Sequence, residues 1–183
     1  MTTSAVQTHV APLALDDIQD PELRALIDRA EESGVPGSVF PRILARVPEH
    51  AKPMLDAMLH SHFEGGVPHR LKEIIRIALA RYARDPYFAT LRSKRALAEG
   101  LDEATISAGR DNYETDPRFT AAERCALRYA DQMYVNPRSI DAAFYAEMKT
   151  HYSEPQIMEI GAFIALHYGM QVFMRTLDAS SKK

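Results

Sequence analysis

Two stretches of this chain, residues 71–80 and 160–174, are apolar on nearly every face of a helix. In the first, Leu71, Ile74, Ile75, Ile77, Ala78, Leu79 and Ala80 are interrupted only by Lys72, Glu73 and Arg76; the second is broken by His167 and Gln171. A helix of this kind must be covered on several sides. No segment shows period-two alternation between hairpin turns, and no internal repeat is present. The chain therefore reads as all-α, a helical bundle of about eight helices, with subunit contacts as the simplest further cover for its two apolar helices.

Helix ends are marked along the chain. Asp20-Pro21-Glu22 supplies an N-cap, a first-turn proline and an acid, and Gly34 closes that helix. A short helix is expected over residues 39–46 and another over 50–63, ended by Gly65-Gly66. Pro68 opens the first apolar helix, and Asp85-Pro86 opens a helix expected to run to about Glu99, before Gly100. Asp102, Thr120 and Ser153 are further caps, and Thr120 with Glu123 and Ser153 with Gln156 match the reciprocal capping box. The last helix is expected from Pro155 to about Leu177.

At 183 residues the chain suits one domain, here residues 20–178, with an N-terminal tail or subunit-ordered arm over 1–19 and a tail over 179–183. A net charge of -3 with scattered Lys and Arg argues against a nucleic-acid partner. The N-terminus has no signal-like pattern, so neither secretion nor a membrane is expected. Cys125, the single cysteine, allows no intrachain disulfide, fits a reducing cytoplasm and reads as a small buried hydrophobe.

Residues 71–101, with 119–131 and 156–170, resemble in order and spacing the carboxymuconolactone decarboxylase and alkylhydroperoxidase-D-like family. The resemblance covers most of residues 40–177 and implies that family's helical bundle; a cytoplasmic homo-oligomer (dimer, trimer or hexamer) with a small-molecule substrate is expected. In its redox-active branch a glutamate and a histidine assist a cysteine pair. Glu73 matches the glutamate and Tyr87 the tyrosine between the cysteines, while Asp85 and Phe88 stand at the cysteine positions and Arg92 most nearly at the histidine. A carboxylate and a phenyl ring cannot perform thiol–disulfide exchange, so thiol peroxidase activity is expected to be absent.

What remains is acid–base chemistry of lyase, decarboxylase or isomerase type on a small carboxylated or carbonyl compound, with no cofactor and no metal. Glu73, Tyr87 and His167 are the candidate catalytic groups, and Arg92, Asp85 and Phe88 the candidate substrate contacts. Each has a plainer reading. Glu73 can pair with Arg76 one turn onward, Asp85 can simply cap a helix, Arg92 can lie on the surface, and His167 and Tyr87 can be satisfied core residues. His60, His62 and His69 form the densest histidine group, without a recognised ligand spacing. The alternative is a catalytically inert ligand-binding or assembly member of the family. Glu73 and Arg92 facing one cavity favours the enzyme; a site filled by Phe88 and closed by a Glu73–Arg76 pair favours the inert reading.

Overall fold

The computed structural model describes residues 8–179, and the outer parts of the expected arm and tail, residues 1–7 and 180–183, lie outside the described residues. Among the described residues ten α-helices follow one another: α1 (Pro21–Ser33), α2 (Val39–Leu44), α3 (Pro48–Phe63), α4 (His69–Ala83), α5 (Pro86–Thr90), α6 (Lys94–Ala98), α7 (Glu103–Asp111), α8 (Ala121–Val135), α9 (Ala142–His151) and α10 (Glu154–Thr176). Single 3-10 turns occupy Leu15–Asp17 and Pro137–Ser139, and no strand occurs among the described residues.

The caps sit where the side chains demand them. Asp20, Asp85, Ser93, Asp102, Thr120, Asp141 and Ser153 each accept a backbone N–H of the first turn, and Thr120 and Ser153 complete reciprocal capping boxes. The two apolar helices, α4 and α10, pack on each other at the centre, and α4 also meets α5, α7 and α8. Leu71, Ile74, Ile75, Ile77 and Leu79 from α4 are buried with Phe163 and Ile164 from α10. Each such side chain removed from water contributes about 1.5–3 kcal/mol. Gly109 lets α7 approach closely, because a Cβ there would meet Ile74 Cγ2 at 2.2 Å.

One expectation is corrected. The helix expected from Asp85 to Glu99 is two helices, separated by an extended turn at Leu91–Ser93. Arg76 of α4 supplies the cause: Nη1 donates to Phe88 O and Nη2 to Leu91 O, both at 2.8 Å, satisfying carbonyls that a continuous helix would have used itself. Ser93 then caps the next segment. The described part of the N-terminal arm is held by its own chain: His9 N–H donates to Leu177 O at 2.7 Å, Leu13 N–H to Arg42 O at 3.1 Å and Arg42 Nε back to Leu13 O at 2.6 Å.

The apolar helix α10 is long and apolar enough, by length and composition alone, to cross a membrane, yet its inner face is part of this core. Its outer face remains bare, with Met158 60% exposed and Val172 and Phe173 each 39% exposed.

Candidate functional site

Glu73 lies in the first turns of α4 and is 1% exposed. Its Oε2 accepts from Arg76 Nε, and its Oε1 from Arg76 Nη2 and from Ser93 N–H, each at 2.8 Å. His62 Nε2 stands 3.1 Å from Oε2, although its angle leaves it without a well-formed hydrogen bond. Burial alone would raise this carboxyl, but the Arg76 charge and hydrogen bonds outweigh it and hold Glu73 well below the usual carboxylate range. Both oxygens are engaged, and the group is a fixed anion.

Three histidines surround it. His69 places Nδ1 2.9 Å from His62 O and Nε2 2.7 Å from Ser93 Oγ. His167, on α10, has Nε2 3.2 Å from Ser61 Oγ. All three rings are buried. Burial pushes His62 down to about 4 against the pull of Glu73; it also lowers His69 and takes His167 well below its ordinary value, where His62 and Arg76 add to the effect. These imidazoles are neutral at pH 7. Among the described residues no group of three or more His, Cys, Asp or Glu side chains is arranged to hold a metal ion, and His60 is exposed whereas His62 and His69 are buried.

The other candidate residues lie elsewhere. Tyr87 clamps the loop before α2: its hydroxyl donates to Pro36 O at 3.0 Å and accepts from the N–H of Val39 at 3.2 Å and of Phe40 at 3.4 Å. Burial pushes the phenol up to about 12, which suits a clamp better than a proton donor. The Phe88 ring is sealed between Tyr87 and Phe40, meeting the latter edge-on at 5.5 Å. Arg92 turns away from Glu73: Nε and Nη2 fork onto Glu103 at 2.6 and 2.9 Å, and Nη1 donates to Ala89 O and Leu91 O. Glu73 and His167 therefore share one buried polar cluster, and Arg92 does not face it.

Asp85 and Arg92 are brought together on a different surface, an open cleft of about 740 Å³. Ile77, Ala80 and Ala89 form its apolar lining, while five arginines (Arg81, Arg84, Arg92, Arg110 and Arg175) and three aspartates (Asp85, Asp111 and Asp178) border it. Asp85 caps α5, with Oδ1 accepting from Tyr87 N–H at 3.2 Å and Oδ2 from Phe88 N–H at 2.9 Å. Burial raises its carboxyl above the ordinary value despite those bonds and the charges of Arg175 and Arg76. Sequence reasoning missed the partnership of His62, His69 and Ser93 with Glu73, and it missed Arg84, Arg110 and Arg175 at the cleft. Only the His62–His69 pair left a trace, as two histidines flanking Gly65-Gly66.

No protein-family model matches the sequence, and no curated protein matches it. Solved structures do match in fold. A cysteine-to-alanine variant of the debrominase Bmp8 in complex with 2,3,4-tribromopyrrole aligns with a TM-score of 0.80 and 21% identity, over 94% of this chain and 91% of that one. The alkylhydroperoxidase AhpD core of an uncharacterized peroxidase-related protein from Ralstonia eutropha JMP134 gives 0.78 and 14%, over 96% and 93%. An uncharacterized peroxidase-related protein from Silicibacter sp. TM1040 gives 0.73 and 15%, over 100% and 96%. The chain has the alkylhydroperoxidase-D-like helical fold.

Proposed function

We propose that this protein is a thiol-independent member of the alkylhydroperoxidase-D-like fold that binds a small organic carboxylate in the open cleft beside Asp85. The observation that carries this reading is the saturation of Glu73. With three hydrogen bonds from the Arg76 fork and Ser93 N–H, and with its basicity lowered by the Arg76 charge, the buried carboxylate is a poor acceptor for a substrate proton. Recognition then falls to the cleft, where an apolar lining meets an arginine rim. The relative that holds 2,3,4-tribromopyrrole supports a small planar body for the ligand. Titration calorimetry with benzoate and with neutral benzamide tests the reading: benzoate binding with benzamide clearly weaker is expected, and no heat from any small aromatic or aliphatic carboxylate contradicts it.

Acid–base turnover of the bound compound, as a lyase, decarboxylase or isomerase, is the second reading, and the raised Asp85 carboxyl favours it. It requires that Asp85→Asn abolish turnover while leaving binding within about threefold, since one acid–base group contributes about 10²–10⁴-fold to rate. Neither reading calls for a cofactor. We also propose a homo-oligomer, because the bare face of α10, with Met158, Val172 and Phe173 outward, is an apolar surface that a second copy would cover.

A further inference from the structure

We infer that Arg84 is the carboxylate anchor of the cleft, and that the ligand is an organic monocarboxylate whose apolar body lies against Ile77, Ala80 and Ala89. This deepens the proposed function and rests on the cleft being the binding site. The other arginines of the rim are already committed. Arg92 forks onto Glu103, Arg110 onto Asp111 through Nη2 at 2.8 Å, and Arg175 contacts Asp178 at 3.4 Å. Arg81 stands 3.7 Å from both Asp111 and Asp131 and donates to the Arg110 carbonyl. Arg84 is exposed, borders the cleft and has no ion pair or side-chain hydrogen bond among the described residues. Of the five rim arginines Arg84 is therefore the one without an acid partner among the described residues, and its planar fork presents paired N–H groups to the two oxygens of a carboxylate.

The backbone gives a second, independent argument. Arg84 ends α4 in the left-handed conformation, φ 51° and ψ 37°, and Asp85 N–H returns to Ala80 O at 3.1 Å. Glycine is the residue this helix ending favours, because a Cβ is disfavoured there. An arginine that keeps the strained position, unpaired and beside the cleft, is an outlier of the kind that points to function.

The test is calorimetry with benzoate on the wild type, Arg84→Gly, Arg84→Lys and Arg138→Gln, with ligand-free melting curves of each. Arg84→Gly relieves the backbone and removes the anchor, so a melting temperature at or above that of the wild type is expected, with benzoate affinity down by about tenfold or more. Arg84→Lys is expected to keep part of the affinity, and Arg138→Gln, an exposed arginine outside the cleft, to lose less than about threefold, as an exposed charge contributes little. Benzoate affinity within about twofold of the wild type in Arg84→Gly, below the effect of a lost charged hydrogen bond, overturns the assignment of the anchor and leaves the cleft reading standing. A wild type that binds no benzoate overturns both.

Discussion

Replacing Arg76 with methionine removes the guanidinium that holds Glu73 and leaves a carboxylate buried among His62, His69 and Ser93. Breaking a buried ion pair from one side costs about 3–5 kcal/mol. The Phe88 carbonyl also loses its donor, at about 1 kcal/mol, while Leu91 O keeps the bond from Arg92 Nη1. Against a typical total stability of about 5–15 kcal/mol, a loss of about 4–6 kcal/mol is large, and it corresponds to a fall in Tm of about 10–20 °C for a chain of this length. Urea unfolding at pH 7, followed by circular dichroism, measures it. The pH response carries the diagnostic sign. In the wild type the Glu73 pKa is depressed, so its contribution is present above the unfolded value and lost as pH falls through the folded one. In Arg76→Met burial acts without the arginine and raises that pKa, so the folded state gains protons more readily than the unfolded. The stability gap to the wild type should therefore narrow between about pH 7 and 5. The double variant Glu73→Leu/Arg76→Met should lie closer to the wild type than either single change, since no lone charge remains. A cost for Arg76→Met below about 1 kcal/mol, or a gap constant with pH, refutes the ion-pair account.

Acid should weaken the fold through His62: with its pKa pushed down to about 4, the unfolded chain takes up a proton first, and roughly 3 kcal/mol of stability is lost as pH falls from about 6.5 to 4. Chemical unfolding at stepped pH reads this directly, and a stability that is flat or rises over that window contradicts it. Lys72 is buried, with Nζ bonded to Ser61 O at 2.9 Å, to Glu64 O and to Glu159 Oε1 at 2.8 Å, while Glu159 also accepts from Gly66 N–H at 2.8 Å. Lys72→Met should cost about 2–4 kcal/mol and speed amide exchange and proteolysis at Gly65–Val67; unchanged exchange there would show the clamp to be idle. Hydroperoxide with a dithiol reductant should be consumed no faster with the protein than without it, and Cys125→Ser should change nothing, because the thiol is buried and its pKa raised by burial.

Much of the fold was legible because helix ends are written in local chemistry. Asp20, Asp85, Thr120 and Ser153 each cap by reaching two or three residues along their own backbone, and that reach depends on nothing distant. The break at Leu91–Ser93 carries no glycine or proline, and the guanidinium that stabilises it comes from α4, so local reading ran one helix through it. The Glu73–Arg76 pair was visible as an i,i+3 spacing, whereas its Ser93 and His62 partners arrive from elsewhere in the fold. Arg92 looked like a carboxylate clamp because its residue type allowed it; the competing acid, Glu103, is eleven residues onward and meets it only through the α6–α7 turn. Arg84 was hidden for the opposite reason. An exposed arginine at a helix end is ordinary in sequence, and its positive φ is visible only in the structure.

The most direct test of the account is a crystal soaked with 4-bromobenzoate, with the bromine located by its anomalous signal. The account predicts a bromine peak in the open cleft over Ile77 and Ala89, the carboxylate on Arg84, and Glu73 still forked by Arg76. A peak among His62, Glu73 and His167, with the Arg76 fork opened to admit the ligand, would show that the buried cluster is the working site and that the cleft is only surface.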